Sequence, residues 1–180
     1  MSSKTIFSGF GGQGVLMMGY SLAHSAMSTG YHTTYLPSYG AEMRGGTANC
    51  TIAIAEEEIA SPISSEPDYL VVMNTPSLYS FQNKLTSGGL MFLNASIIDA
   101  RPSRQDIEVY AVPCGEIAEG LGDIRAANIV MMGAFLRKTA LVTLDTYLKS
   151  LETIMGSKKR KAMETNTKAL AAGYELLKTS

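Results

Sequence analysis

The period of apolar positions changes several times along the chain, and each change marks an element. Lys4-Thr5-Ile6-Phe7-Ser8 is short, β-prone and apolar enough for a buried strand. After a glycine-rich turn, Val15, Leu16, Gly19, Leu22, Ala23, Ala26 and Met27 recur at helical spacing on one face. Residues 31–36 predict a second strand that Pro37 stops, and residues 47–55 a third whose small polar and apolar residues alternate at its start. Glu56-Glu57-Glu58 reads as a charged turn, and residues 59–65 as an extended passage interrupted by Pro62. Residues 68–73 predict a buried strand with Asn74 at its open end. Thr75 as cap and Pro76 at the first helical position then start a short helix to about residue 84. Gly88-Gly89 turns the chain into a strand at 90–93 followed by Asn94. A polar loop at 101–106 leads to a strand at 107–112 that ends at Pro113-Cys114-Gly115.

The last third reads as helical. Residues 126–141 are apolar almost all round, which predicts a helix buried on more than one side. Thr143 caps the next helix, striped by Leu144, Tyr147, Leu148, Leu151 and Met155 and ended by Gly156. Met163, Leu170, Tyr174 and Leu177 share a face of the last one. Lys158-Lys159-Arg160-Lys161 opens it, either as a solvated face or as charges offset by an acidic partner, since they oppose the helix dipole. Strands alternating with helices predict an α/β fold: a mostly parallel sheet with helices on both faces, a Rossmann-like three-layer α/β/α arrangement with a helical C-terminal third. Residues 1–180 read as a single domain, with no repeat or linker to divide them.

Composition removes several classes of function. Fifteen basic and sixteen acidic side chains give no field that favours nucleic acid or an anionic membrane. The longest apolar run, near residues 129–136, is too short to span a bilayer, and residues 1–4 lead straight into the first strand without a signal peptide, so a cytoplasmic location is expected. Cys50 and Cys114 lie far apart and neither belongs to a C-x-x-C, so no iron–sulfur or zinc site is encoded and both read as reduced core thiols. His24 and His32 are isolated and read as satisfied structural residues.

Chemistry concentrates in two glycine-rich stretches. In Gly9-Phe10-Gly11-Gly12-Gln13-Gly14-Val15, the glycines Gly9, Gly11 and Gly14 fit G-x-G-x-x-G between a strand and a helix, where bare backbone N–H groups can approach a ligand. A phosphate-binding P-loop would need Lys and Ser or Thr where Val15 and Leu16 stand. A dinucleotide site would need an acid at the end of the second strand, but the first carboxylate after the loop is Glu42. Close packing of helix on strand remains the simpler use of these glycines. The second stretch is Ser38-Tyr39-Gly40-Ala41-Glu42-Met43-Arg44-Gly45-Gly46. Because ligands bind beyond the carboxyl ends of such strands, the two loops are expected side by side at one edge of the sheet, with Asn74 and Asn94 joining them.

Taken together, Gly9 to Val15 and Leu36-Pro37-Ser38-Tyr39-Gly40-Ala41-Glu42-Met43-Arg44-Gly45-Gly46-Thr47-Ala48-Asn49-Cys50 resemble the gamma subunit of 2-oxoacid:ferredoxin (acceptor) oxidoreductases. Asn128 with Gly133 and Asn166 with Gly173 are similar to that family's C-terminal pattern, and Ala41 departs from it where a proline is common. The resemblance covers essentially the whole chain. It implies one subunit of a complex that converts a 2-oxoacid, closest to 2-oxoglutarate or a branched-chain acid, and CoA to acyl-CoA and CO2 while reducing ferredoxin. Thiamine diphosphate and iron–sulfur clusters would sit on the partner alpha, beta and ferredoxin-like delta subunits. The gamma chain would supply structure, interface and part of the CoA passage, and an apolar patch left bare by missing partners would favour pairing of isolated chains. In that light Gly11, Gly12, Gln13, Gly14 and Arg44 are the candidate anion or CoA contacts, and Tyr39, Glu42, Arg44, Gly45 and Gly46 the candidate interface. A self-contained Glu42–Arg44 pair remains the plainer reading of the second loop. A free-standing nucleotide- or flavin-binding protein is the alternative for the whole chain.

Overall fold

A computed structural model describes residues 2–39, 47–61, 65–156 and 160–178. Strands β1 (Ser2–Phe10), β2 (His32–Tyr39), β3 (Thr47–Ala55), β4 (Tyr69–Val72), β5 (Leu90–Asn94) and β6 (Glu108–Val112) form one sheet in the order β2-β3-β1-β4-β5-β6. Pairing from β1 through β6 is parallel, and β3 alone runs antiparallel, between β1 and β2. The helices are α1 (Val15–Ser28), α2 (Thr75–Phe81), α3 (Cys114–Gly120), α4 (Ala127–Thr139), α5 (Leu144–Met155) and α6 (Arg160–Leu176).

Strand alternation separates two cores. Phe7, Cys50, Ile52, Val71 and Phe92 point to the face covered by α1 and α3–α6. Ile6, Leu70, Val72, Met91 and Leu93 point to the other, where Leu78 of α2, Leu85 and Ile98 meet them. Both faces carry helices, as the alternation predicts, but unequally. On the thicker side Phe135 of α4 packs against Phe7, Tyr69 and Phe92 at ring-centroid separations of 5.5, 5.8 and 5.3 Å. The run Ile129–Leu136 is buried throughout, which explains why α4 is apolar all round. Tyr147 of α5 is fully buried, and its hydroxyl meets Ser21 of α1 at 2.7 Å.

Several local expectations change. Pro37 does not stop β2, which continues to Tyr39 with Pro37 opposite Cys50. The strand lies at the sheet edge, where a proline can sit without removing a needed donor. Asn74, not Thr75, caps α2: its side chain accepts from the Ser77 N–H at 2.8 Å. Met27 is exposed, and Met18 takes its place among the buried residues of α1. Against the expectation of a satisfied residue, the buried Nδ1 of His24 has no hydrogen-bond partner among the described residues, and His32 lies exposed on β2. Cys50 and Cys114 are free and buried, and burial pushes both thiols up to about 12.

Candidate functional site

A convergence of polar side chains forms at the carboxyl edge of the sheet, between β1 and β4. Here strand order departs in both directions: α1 leads away to β2, and α2 leads the other way to β5. Gln13 bridges the two strand ends. Its Oε1 accepts from the Phe10 N–H at 2.7 Å, and its Nε2 donates to the Met73 carbonyl at 2.9 Å. The Asn74 amide donates to the same Oε1 at 3.4 Å, and Asn94 at the end of β5 donates to the Met73 carbonyl at 3.3 Å. Three carboxamides thus tie the ends of β1, β4 and β5 together, with the Met73 carbonyl and Gln13 Oε1 each accepting from two donors.

The glycines of the turn divide into two kinds. A Cβ on Gly9 would stand 2.9 Å from Met73 Cβ, and one on Gly14 would stand 2.3 Å from the Asn128 amide nitrogen. Gly14 also holds φ +75°, so neither a side chain nor an ordinary backbone replaces it. Around Gly11 and Gly12, by contrast, nothing among the described residues lies within 4 Å of the Cβ position. The first and third glycines of the G-x-G-x-x-G pattern therefore serve the chain's own packing, and the middle of the turn faces open space.

That space continues into a cavity of about 500 Å³. It is lined by Gly12, Gln13 and Asn94 near the strand ends and by Ser96, Ile97, Glu116, Glu119, Ile124, Arg125 and Asn128. The Ser96 hydroxyl accepts from the Gly115 N–H at 2.8 Å and donates to Glu116 at 2.9 Å. Arg125 is held by Asp123, which accepts from its Nε and Nη2 at 2.9 and 2.8 Å. The Asp123 carboxyl is lowered by that side-chain hydrogen bond first and by the backbone N–H of Arg125 second. Asn128 also borders a smaller cavity of about 340 Å³, with Met17, Met155 and Asn166 on its walls. There the Asn166 amide donates to the Met155 sulfur at 3.2 Å.

Phe10, at the end of β1, lies opposite Thr47, and Tyr39 opposite Ala48, so both ends of the second loop emerge beside the first. Gly11, Gly12, Gln13 and Gly14 form the β1–α1 turn, and Tyr39 ends β2 with nearly three-quarters of its surface exposed. Glu42, Arg44, Gly45 and Gly46 lie outside the described residues. Ser96, Glu116, Glu119 and Arg125 escaped the sequence reading; their signal was position, just after the carboxyl ends of β5 and β6. The dinucleotide alternative meets a further obstacle, because antiparallel β3 occupies the place beside β1 where an acid-bearing parallel strand would present a ribose contact. Among the described residues no group of three or more His, Cys, Asp or Glu is placed to hold a metal ion, and no helix is long and apolar enough to cross a membrane.

Comparison with known proteins bears on this arrangement. Residues 4–176 match the family described as pyruvate ferredoxin/flavodoxin oxidoreductase. Ketoisovalerate oxidoreductase subunit VorA of Methanothermobacter thermautotrophicus is 39% identical over 169 residues, which is 93% of this chain and 35% of VorA. The chain thus spans about a third of the length of that relative. 2-Oxoglutarate synthase subunit KorC of Methanocaldococcus jannaschii is 30% identical over 181 residues, 99% of this chain and 95% of KorC. Among solved structures, the gamma subunit of a keto/oxoacid ferredoxin oxidoreductase from Geobacter sulfurreducens shares the fold at a TM-score of 0.82, with 24% identity over 96% of each chain. A 2-oxoglutarate:ferredoxin oxidoreductase from Magnetococcus marinus does so at 0.89, with 19% identity over 99% of this chain and 32% of that one.

Proposed function

Because the chain belongs to the pyruvate ferredoxin/flavodoxin oxidoreductase family, we propose that it is the gamma subunit of a thiamine-diphosphate-dependent 2-oxoacid:acceptor oxidoreductase. The reaction is 2-oxoacid, CoA and oxidised ferredoxin to acyl-CoA, CO2 and reduced ferredoxin, with 2-oxoglutarate as the acid. The observation that carries this is the KorC relative, which the chain matches across nearly the full length of both. Thiamine diphosphate and the iron–sulfur clusters belong to the alpha, beta and ferredoxin-like delta chains, and the thiamine chemistry is the cofactor's own. The two cysteines of this chain fit no cluster: they are buried, protonated and on separate elements.

This chain's part is assembly and positioning. The Gln13–Asn74–Asn94 network fixes the β1–α1 turn, and the open side of Gly11 and Gly12 is left for a partner chain or for CoA. Tyr39 and the Glu42–Arg44 segment form the neighbouring contact surface, and Arg44 is the residue for an anion or a partner carboxylate. Residues 1–180 act as one unit, in the cytoplasm. The higher identity to VorA supports a second reading in which the acid is branched-chain ketoisovalerate.

Purification of the assembly from its native cell tests the proposal. Thiamine diphosphate and iron–sulfur absorbance should travel with this chain, and the assembly should reduce ferredoxin with 2-oxoglutarate faster than with ketoisovalerate or pyruvate. The reverse order of rates would select the second reading, and a lone chain retaining a nucleotide would reject both. Arg44→Ala should weaken binding to the partner chains more than it lowers this chain's own melting temperature; a complex unaltered by it would remove Arg44 from the interface.

A further inference from the structure

Helix α1 and strand β2 carry no charge. No Asp, Glu, Lys or Arg stands between Lys4 and Glu42, although 17% of the chain is charged. The sheet and α5 cover most of α1, and what they leave open is a narrow stripe. Along it Met17, Tyr20 and Met27 keep 39, 46 and 57% of their surface exposed, with the partly covered His24 between the last two. These four residues are spaced by three, four and three positions, the repeat of a helix seam that packs against another helix. Tyr35 of β2 supports the stripe from the side: its ring meets that of Tyr20 edge-on at 5.7 Å, and Tyr20 lies 6.4 Å from the His24 ring. A helix face meant for water carries charged side chains, and this one offers thioethers and rings instead.

Loss of charge with gain of Tyr and Met is the composition of an interface centre. The order of the stripe points to its occupant. About Leu22 it is its own mirror: Met17 and Met27 stand five residues to either side, and Tyr20 and His24 two. Two copies of α1 laid antiparallel across a two-fold axis set thioether against thioether and ring against ring. Near that axis a charged side chain would stand close to its own copy, and the stripe has none. We infer that a second copy of this chain docks here, α1 against α1, with Met17 against Met27 of the copy and Tyr20 against its His24. Strand addition is not the route, because Pro37 takes a donor from the β2 edge. Helix α1 is about 21 Å long, so the contact buries less than the ~800 Å² per partner of a standard interface, and pairing is weak, with Kd on the order of 10–100 μM. The surface runs along α1 away from the β1–α1 turn, and it stands whatever reaction the proposed complex performs.

Sedimentation equilibrium of the full chain from about 5 to 300 μM, a range that spans this Kd, should show a reversible monomer–dimer equilibrium. Tyr20→Lys and, separately, Met27→Lys should each loosen the pairing about tenfold, and Met27→Lys should leave the melting temperature within about 2 °C, as surface changes do. Mild oxidation reads the arrangement. Met17→Cys with Met27→Cys in one chain should yield a disulfide-linked dimer, whereas either substitution alone should not, because like positions lie about 15 Å apart along the antiparallel pair. A chain that stays monomeric over the whole range would overturn the inference, as would a dimer indifferent to both Lys substitutions or one linked as readily by Met17→Cys alone. A monomeric chain whose binding to the other subunits falls with the same Lys substitutions would give this face to one of them and overturn the inference too. Each of these outcomes leaves the subunit role standing; that role falls only to the purification described above.

Discussion

Glycine serves two opposite purposes in this molecule, at the α4–α6 crossing and at the β1–α1 turn. At the crossing, a Cβ on Gly133 would stand 2.1 Å from the Leu170 carbonyl oxygen, and one on Gly173 would stand 1.8 Å from that of Val130. The two helices meet backbone to backbone, and the space a side chain would need is filled by atoms that cannot swing away. At the turn, no atom of the other described residues lies within 4 Å of a Cβ on Gly11 or Gly12. The difference separates a place where the chain is complete from one where it is not. The crossing is a finished piece of core behind the sheet, whereas the turn keeps its two middle glycines clear of every other described residue.

The contrast is easiest to break at the crossing. Gly173→Ala should cost about 3 kcal/mol or more, because the clash is with backbone, and should lower Tm by on the order of 10 °C in calorimetry. A Tm within about 2 °C of wild type would mean that the helices separate freely. Next in size is Gln13→Ala, which strands the Phe10 N–H and takes one donor from the Met73 carbonyl; about 1–3 kcal/mol of stability should go in urea unfolding. A smaller effect distinguishes two neighbours in the turn. Gly12→Ala should cost about 1 kcal/mol through its φ of +98°, whereas Gly11→Ala should stay within about 0.5 kcal/mol and, if the turn is a contact surface, weaken assembly instead. Equal stability losses at both positions would erase the distinction.

The smallest expected effect lies outside both regions and serves as their control. The Arg104 guanidinium, by its hydrogen bond to Asp106, holds that carboxyl at about 2, below its ordinary 3.8. Unfolding returns the carboxyl to its ordinary value, so as pH falls the unfolded chain takes up the proton first. The pair's contribution is whole above about pH 4 and is lost on the way down to about pH 2. Asp106→Asn should flatten the pH dependence of stability in that window only. An unchanged acid limb would show that the pair is too exposed to matter.

Much of this was legible in the sequence, for reasons that differ from place to place. The strands at 47–55 and 90–94 and the stripes of α4 and α5 follow from local period, which burial on one face or all round imposes directly. Gly14 was legible because its positive φ is a demand of the turn itself. By contrast α3 went unread: seven residues give too little period to see. Gly133 and Gly173, inside helices, carry only the appearance of a local penalty until the opposing helix is in place. Asn74 displaced Thr75 as the cap because the chain's exit from β4 decides which side chain faces the helix start.

By itself, then, the sequence determined the α/β class, the order of the strands and of the helices other than α3, and the turn after β1, because periodicity and backbone conformation act over a few residues. Only the tertiary structure decided that β3 lies antiparallel between β1 and β2, and that Gln13, Asn74 and Asn94 join three strand ends. It also brought Glu116 and Glu119 to a cavity beside Gly12, more than a hundred residues away in the chain. These are contacts between distant segments, set by which faces must be buried together, and no local pattern encodes such a meeting.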